Sequence, residues 1–319
     1  MLVVQEPAGS IGPGPAPDAG RPSLARRVVE GIQPFLYLLP ALAGVGMWIY
    51  WPIVRTLRLS TVRWNLLPTK PKVPVGMQNY RDVLDLPEMR SAVWNTVKYT
   101  VGLVPFSVVI PLAIALLIAD LGGRLRGVYR ALIFLPVLMA PVVVAVIWRW
   151  ILHPTQGLLN GWLASVGITG PSWLGDKATA LWTIVGITGW KLIGFSVLIF
   201  SAGIAGVNGE CLAAAQVDGA SRWQTTWRIT IPLLSPTIMF MMLLTVLLSA
   251  QWTFPLINVL TQGGPLGATN NVYGLLYEFG FRNFNVGFSS AAAVMFFVFF
   301  GALALIATKV IDRYTFFDS

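Results

Sequence analysis

The sequence predicts an all-α membrane protein of six transmembrane helices, with a short cytoplasmic helix between the fourth and fifth. Composition is the first reason. Of 319 residues, 55% are hydrophobic and 11% charged, and the mean hydropathy is +0.70. Water-soluble domains carry about 25% charged residues. So little charge cannot cover a water-facing surface, which makes lipid the natural solvent. Periodic length is the second reason. A helix needs about 20 mostly apolar residues to cross the hydrocarbon, and six such blocks occur, at about 33–54, 97–119, 131–152, 178–202, 236–260 and 287–309. A polar helix–turn–helix pattern between the fourth and fifth blocks is the third.

The first 24 residues are rich in Gly, Pro, Ala and Ser and lack apolar periodicity. Such composition buries too little surface to order itself, so residues 1–30 read as a disordered cytoplasmic tail and 31–319 as the six-helix transmembrane domain. Arg26 and Arg27 precede the first block as in a signal peptide. That block exceeds the 7–15 residues of a signal core and has no small-residue cleavage site, so it reads as a retained span. Pro40, Pro105, Pro111, Pro136, Pro141 and Pro255 interrupt the blocks. In lipid, breaks survive where neighbouring groups satisfy the freed backbone, which suggests a bundle packed around something.

With both termini inside, Lys and Arg divide ten inside to eleven outside, so raw counting does not orient the chain. The short loops do. Loop 120–130 holds Arg124, Arg126 and Arg130, whereas 153–177 holds only Lys177, and positive short loops stay in the cytoplasm. Tryptophans 48, 51, 94, 148, 150, 173 and 182 crowd the proposed outer ends, as interfacial belts do.

Several function classes are excluded. The net charge of +9 is spread between apolar blocks, so it anchors loops and does not mark a nucleic-acid surface. One cysteine, Cys211, and one histidine, His153, supply neither a disulfide framework nor a Cys/His metal set. A membrane-embedded enzyme would need a nucleophile–base pair that this chain does not offer. No G-x-x-x-x-G-K-[ST] phosphate loop occurs.

The loop between the fourth and fifth blocks is the most informative. Gly209-Glu210-Cys211-Leu212-Ala213-Ala214-Ala215-Gln216-Val217 reads as an alanine-rich helix, and Asp218-Gly219-Ala220 as a turn. Small alanines let a partner backbone approach closely. Gly219 suits the left-handed conformation that closes many helices. A second short helix follows, with Trp223 and Trp227 one turn apart, and is expected to end at Pro232.

This segment resembles the cytoplasmic loop of bacterial ABC importer permeases, written E-A-A, three residues, G, nine residues, I, one residue, L-P. Ala214, Ala215, Gly219, Ile229 and Pro232 match, Ile231 replaces leucine, and Ala213 stands where the family has glutamate, with Glu210 one turn earlier. Gly76-Met77-Gln78-Asn79-Tyr80, Leu135-Pro136, Trp190-Lys191, Thr261-Gln262-Gly263-Gly264-Pro265 and Tyr277-Glu278-Phe279-Gly280-Phe281 also look like the carbohydrate-uptake branch, which imports sugars and glycerol-phosphate compounds. The resemblance covers about residues 33–314.

The resemblance implies a cytoplasmic coupling helix, with Glu210, Ala213, Ala214, Ala215, Asp218, Gly219, Ala220, Ile229 and Pro232 docking a separate ATPase. It implies a second, non-identical permease, two ATP-binding subunits and an extracytoplasmic substrate-binding protein, in a bacterial inner membrane. ATP and magnesium belong to the partner ATPase, and this chain binds no cofactor. From the residues themselves, a solute path is expected at Lys191, Gln251, Trp252 and Asn258, the polar groups at span depth. Amides beside an aromatic platform suit sugars, but they equally suit helix–helix hydrogen bonding. Lys191 suits a structural or gating role, or a phosphate contact. The rival reading is half of a proton- or sodium-driven secondary transporter; Asp120, Glu210 and Asp218 all fall at span ends or in loops, which counts against it.

Overall fold

The computed structural model describes Phe35 and residues 37–314 apart from 68, 70 and 120, and only the backbone of 310–314. The tail expected at 1–30 lies outside the described residues, as do Lys70 and Asp120. The chain divides into two units, Met1–Arg55 and Thr56–Ser319. Helix α1 (Tyr37–Leu59) begins in the first and carries a π turn at Gly46–Tyr50. Within it the Arg55 guanidinium lies 5.8 Å from the Trp51 ring centre.

In the second unit a two-stranded hairpin, Val62–Arg63 with Val73–Pro74, follows α1. The short helix α2 (Gln78–Asp85) comes next. Here the Gly76–Tyr80 element acquires a physical meaning. Gly76 has φ +56°, a backbone that favours glycine. Asn79 donates to the carbonyls of Ser60 and Val62 at 2.8 and 3.0 Å, and the Tyr80 hydroxyl meets Ser60 Oγ at 2.7 Å. The motif therefore stitches the loop to itself.

Helix α3 (Pro87–Ala119) starts ten residues before the block expected at 97. Pro87 sits at its first position behind an extended Leu86, and Glu88 lies in its first turn, a combination that starts helices. Its 33 residues rise about 50 Å. Pro105 has no N–H to give, and the helix absorbs the loss as a π turn, Pro105–Val109, before continuing.

The third block, expected to be continuous over 131–152, is instead two helices. α4 (Gly123–Leu138) and α5 (Pro141–Ile151) meet at 91°. Met139 and Ala140 are extended between them, with ψ of 133° and 135°. A residue before proline avoids the helical region, and Pro141 then opens α5 at its first position. Among the described residues, five helices can cross a membrane by length and composition, and six if this bent pair is one span.

After α6 (Leu158–Ser165) comes α7 (Ala180–Ala205), the centre of the bundle. It packs along α3, α4 and α10 (Ser235–Leu260). Between α7 and α10 lie α8 (Gly209–Val217) and α9 (Arg222–Thr225). The last elements are α11 (Val272–Tyr277) and α12 (Val286–Tyr314). One apolar cluster joins Tyr99, Leu103, Val144, Ile184, Ile187 and Leu256 across α3, α5, α7 and α10. Lipid is as apolar as leucine, so packing and polar contacts hold such helices together. Thr100 with Ser249 at 2.6 Å and Thr245 with Ser107 at 2.8 Å are two of those contacts between α3 and α10.

Glycines set the closest approaches of α7. A Cβ at Gly194 would come within 2.3 Å of the Ile133 carbonyl oxygen of α4, whereas one at Gly186 would meet nothing within 4 Å. Gly194→Ala should therefore push the two backbones apart and destabilise the chain by about 1–3 kcal/mol. Gly186→Ala should stay within about 1 kcal/mol of the parent. Thermal unfolding in detergent measures both, and equal midpoints for the two variants would contradict this packing.

Candidate functional site

Two places gather the residues singled out from sequence. The first is the loop between α7 and α10. The Asn208 side chain caps α8 by accepting from the Glu210 N–H at 2.9 Å, and Glu210 itself lies in the first turn. An acidic group there favours the positive end of the helix. At the far end Gly219 has φ +75°. The Ala220 N–H reaches back to the Ala215 carbonyl at 3.0 Å, and the Gly219 N–H to Gln216 at 3.1 Å. This left-handed closure satisfies the last carbonyls of the helix.

α9 begins with a reciprocal cap. The Gln224 N–H donates to Ser221 Oγ, and the Ser221 N–H to Gln224 Oε1 at 2.8 Å. Trp223 and Trp227 pair with ring centres 5.2 Å apart, both exposed. The expected stop at Pro232 is not found. The chain runs on through a π turn, Thr226–Thr230, into a further turn, Ile231–Leu233. Proline is tolerated at the start of a helical turn, where its missing N–H would be unpaired anyway. Pro232 takes that place, and the break falls at Leu234 instead.

Along α8, Glu210, Cys211, Ala213, Ala214 and Asp218 are exposed and Ala215 is buried. Gly219 and Pro232 are exposed, while Ala220 and Ile229 are half-buried. The helix therefore presents a face of small side chains outward. Behind it a cavity of about 400 Å³ opens against the ends of α3 and α7, lined by Leu116, Ala119, Ile204, Leu212, Gln216 and Thr226 among others. The short turn at the end of α3 is held by Arg126, whose guanidinium donates to the carbonyls of Ala119 and Leu121.

The second place is a cavity of about 350 Å³ where α5, α7, α10 and α11 meet. It brings together Lys191, Gln251 and Trp252 and adds Thr188, Pro255 and Tyr273. The Thr188 hydroxyl is buried without a hydrogen-bond partner. Asn258 is not there. It accepts from Arg282 at 3.3 Å in a separate recess with Asn270 and Glu278. Phe254 lines both spaces, so a seven-residue spacing placed Gln251 and Asn258 on one face but at different depths.

Lys191 has a partner that sequence reading missed. Its ammonium donates to the Val137 carbonyl at 3.2 Å. In an unbroken helix that carbonyl would accept from residue 141, and residue 141 is proline. The lysine on α7 thus takes the bond that the α4–α5 break gives up. The signal in the sequence was the pair of features, an intramembrane lysine and a proline-broken span, but nothing in the sequence joins positions 54 apart.

After α10 the 261–271 loop folds on itself. Gln262, Gly263, Leu266 and Gly267 have positive φ. Thr269 Oγ1 donates to the Gly264 carbonyl at 2.6 Å and meets Thr261 Oγ1 at 2.8 Å. From α3, Asn95 donates to the carbonyls of Gly267 and Asn270, and Tyr99 to that of Thr269. The Val272 N–H donates to Thr96 Oγ1 at 3.2 Å. Asn271 caps α11 and also donates to the Ala250 carbonyl. Asn95, Thr96, Tyr99 and Asn271 were not singled out from sequence.

Residues 109–316 match the family described as binding-protein-dependent transport system inner membrane component. The chain is 30% identical to the sn-glycerol-3-phosphate transport system permease protein UgpA of Agrobacterium fabrum, over 88% of this chain and 95% of that protein. It is 32% identical to the trehalose/maltose transport system permease protein MalF of Thermococcus litoralis, over 86% and 92%. It shares the fold of a chain in a bacterial ABC transporter involved in the import of the acidic polysaccharide alginate, with TM-score 0.79 and 22% identity over 91% of this chain and all of that one. The same fold recurs in the alginate transporter in complex with an alginate pentasaccharide-bound periplasmic protein. With a bundle of membrane-spanning helices around a cavity and a capped hairpin between two of them, this chain belongs to the family of inner-membrane components of binding-protein-dependent transport systems.

Proposed function

We propose that this chain is one of two permease halves of an ATP-driven importer for a sugar or glycerol-phosphate-type solute. Its partners are a second, non-identical permease, two ATP-binding subunits and an extracytoplasmic substrate-binding protein. ATP and magnesium sit on the ATPase, and this chain does no chemistry of its own. Both termini lie in the cytoplasm, with a tail at 1–30 and the permease domain at 31–319. The solute class is supported by the relatives that carry glycerol 3-phosphate and trehalose or maltose.

One observation carries the mechanism. α8 sits on the connection between α7 and α10, the two helices that supply Thr188, Lys191, Gln251 and Trp252 to the cavity. Lys191 and the end of α7 at Ala205 are fourteen residues apart, about 21 Å along a helix. A partner that grips the exposed small-residue face of α8 therefore pulls on both cavity walls at once. Closure of the ATPase dimer would rock the bundle about the solute, a coupling of distinct sites through rigid elements. Gln251 and Trp252 contact the solute in this account, Lys191 braces the broken span beside them, and Asn258 lies further along the path.

Cys211 is the only cysteine in the chain and is exposed on α8. A bifunctional thiol reagent on the assembled transporter should join Cys211 to the ATPase subunit, with a yield that changes between nucleotide-free and ATP-bound states. An active transporter that never yields this adduct would refute the docking. Purified chain alone in liposomes should take up no solute under a proton or sodium gradient; gradient-driven uptake would favour the secondary-transporter reading.

Lys191→Met leaves the Val137 carbonyl without its donor, a loss of about 1–3 kcal/mol, and uptake should fall at least tenfold. Lys191→Arg keeps a donor and should retain most uptake. Equal loss in both variants, with assembly intact, would mean that the ammonium acts on the solute and not on the helix break.

A further inference from the structure

The described surface carries a second place where cations converge, at the end of α7 away from α8. α3 and α7 pack closely at Gly102, where a Cβ would lie 2.9 Å from the Trp182 ring and 3.0 Å from Val185. Past Gly102 they part around a cleft of about 250 Å³, lined by Asn95, Lys98, Lys177, Leu181, Trp182 and Ala268. One lysine comes from each side. Among the described residues neither has a carboxylate within ion-pair distance. Lys98 lies 5.9 Å from the Trp94 ring centre.

The surface beneath is apolar. Trp94 and Val101 fall four before and three after Lys98, so they share its side of the helix, and Val97 adjoins them three after Trp94 and four before Val101. Trp94 is 61% exposed, Val101 62%, and Trp182 on the other wall 53%. Tryptophans at this level mark the boundary between headgroups and hydrocarbon. Cations above an exposed apolar strip fit an amphiphile with an anionic head. A soluble anion would need the lysines but not the strip, and a partner helix would need the strip but not the lysines.

We propose that this cleft binds an anionic phospholipid, with the headgroup phosphate between Lys98 and Lys177 beside Trp94, and an acyl chain along Val97, Val101 and Trp182. Basic pockets between membrane helices hold such headgroups by charge and shape together. The placement concerns only the two ends of α7, so it holds whichever face of the membrane is cytoplasmic and does not depend on the transported solute.

Native mass spectrometry of the full chain, purified in neutral detergent with equal phosphatidylglycerol and phosphatidylcholine, tests the site. The parent chain should retain phosphatidylglycerol on the order of 30-fold better, about fivefold for each lysine. Lys98→Gln and Lys177→Gln should each lose about fivefold of that preference, and the double variant nearly all of it. Lys98→Arg/Lys177→Arg should keep it, which separates lost charge from lost folding. Arg124→Gln/Arg130→Gln, at the other end of the bundle, should also leave it unchanged. Equal retention of the two lipids by the parent, or an undiminished preference in the glutamine variants, overturns the proposal. So does displacement of the lipid by inorganic phosphate or glycerol 3-phosphate, which would assign the cleft to a soluble anion.

Discussion

A backbone carbonyl that leaves a helix inside hydrocarbon has no water to turn to, and an unmet group there costs several kcal/mol. At four places a side chain takes an orphaned bond. Lys191 of α7 meets the Val137 carbonyl that Pro141 cannot serve. Arg126 closes the end of α3 through the carbonyls of Ala119 and Leu121. Arg149 of α5 reaches the Val259 carbonyl, one of the last four of α10. Asn95 and Tyr99 of α3 serve three carbonyls of the 261–271 loop. The polar groups of this interior are partners of the broken backbone first.

That arrangement decides what can move. The broken span, the folded loop and the walls of the cavity are tied to α3 and α7 through directional bonds, so these pieces shift together. The hairpin α8–α9 is joined to the rest at the two ends that enter α7 and α10, and it is capped on its own account by Asn208, Ser221 and the Gly219 closure. A self-capped hairpin keeps its shape under load. It can pass displacement to the two helices that wall the cavity without unwinding first.

Much of this was legible in sequence, for stated reasons. Spans are read from length and hydropathy because lipid demands both. The loop motif is read from Ala214, Ala215 and Gly219, where small size and a left-handed turn leave few alternatives. Gly76, Asn79 and Tyr80 form a pattern in sequence, and the structure supplies the turn at Gly76 and the bonds of Asn79 and Tyr80 to Ser60 and Val62. The 91° bend between α4 and α5 was not legible, because hydropathy runs unbroken across Met139 and Ala140 whether or not the chain turns. Pro232 reads as a stop in sequence because proline ends helices in their interior, while its place at the start of a turn depends on the preceding π turn. Asn258 was grouped with Gln251 by periodicity, which reports direction round a helix and not depth along it. Asn95, Thr96 and Tyr99 were passed over because their partners lie more than 160 residues away.

Amide hydrogen exchange across 261–275 tests the constraint most directly. The Val272 and Gly274 N–H groups are bonded to Thr96 Oγ1 and Asn271 Oδ1, in a loop whose carbonyls are held by Asn95 and Tyr99. These amides should exchange about a hundredfold slower than an open loop, and Asn95→Ala should remove most of that protection while α7 keeps its own. A loop that exchanges freely in the parent chain, or that is unchanged by Asn95→Ala, would contradict the claim that neighbouring side chains hold the broken backbone in place.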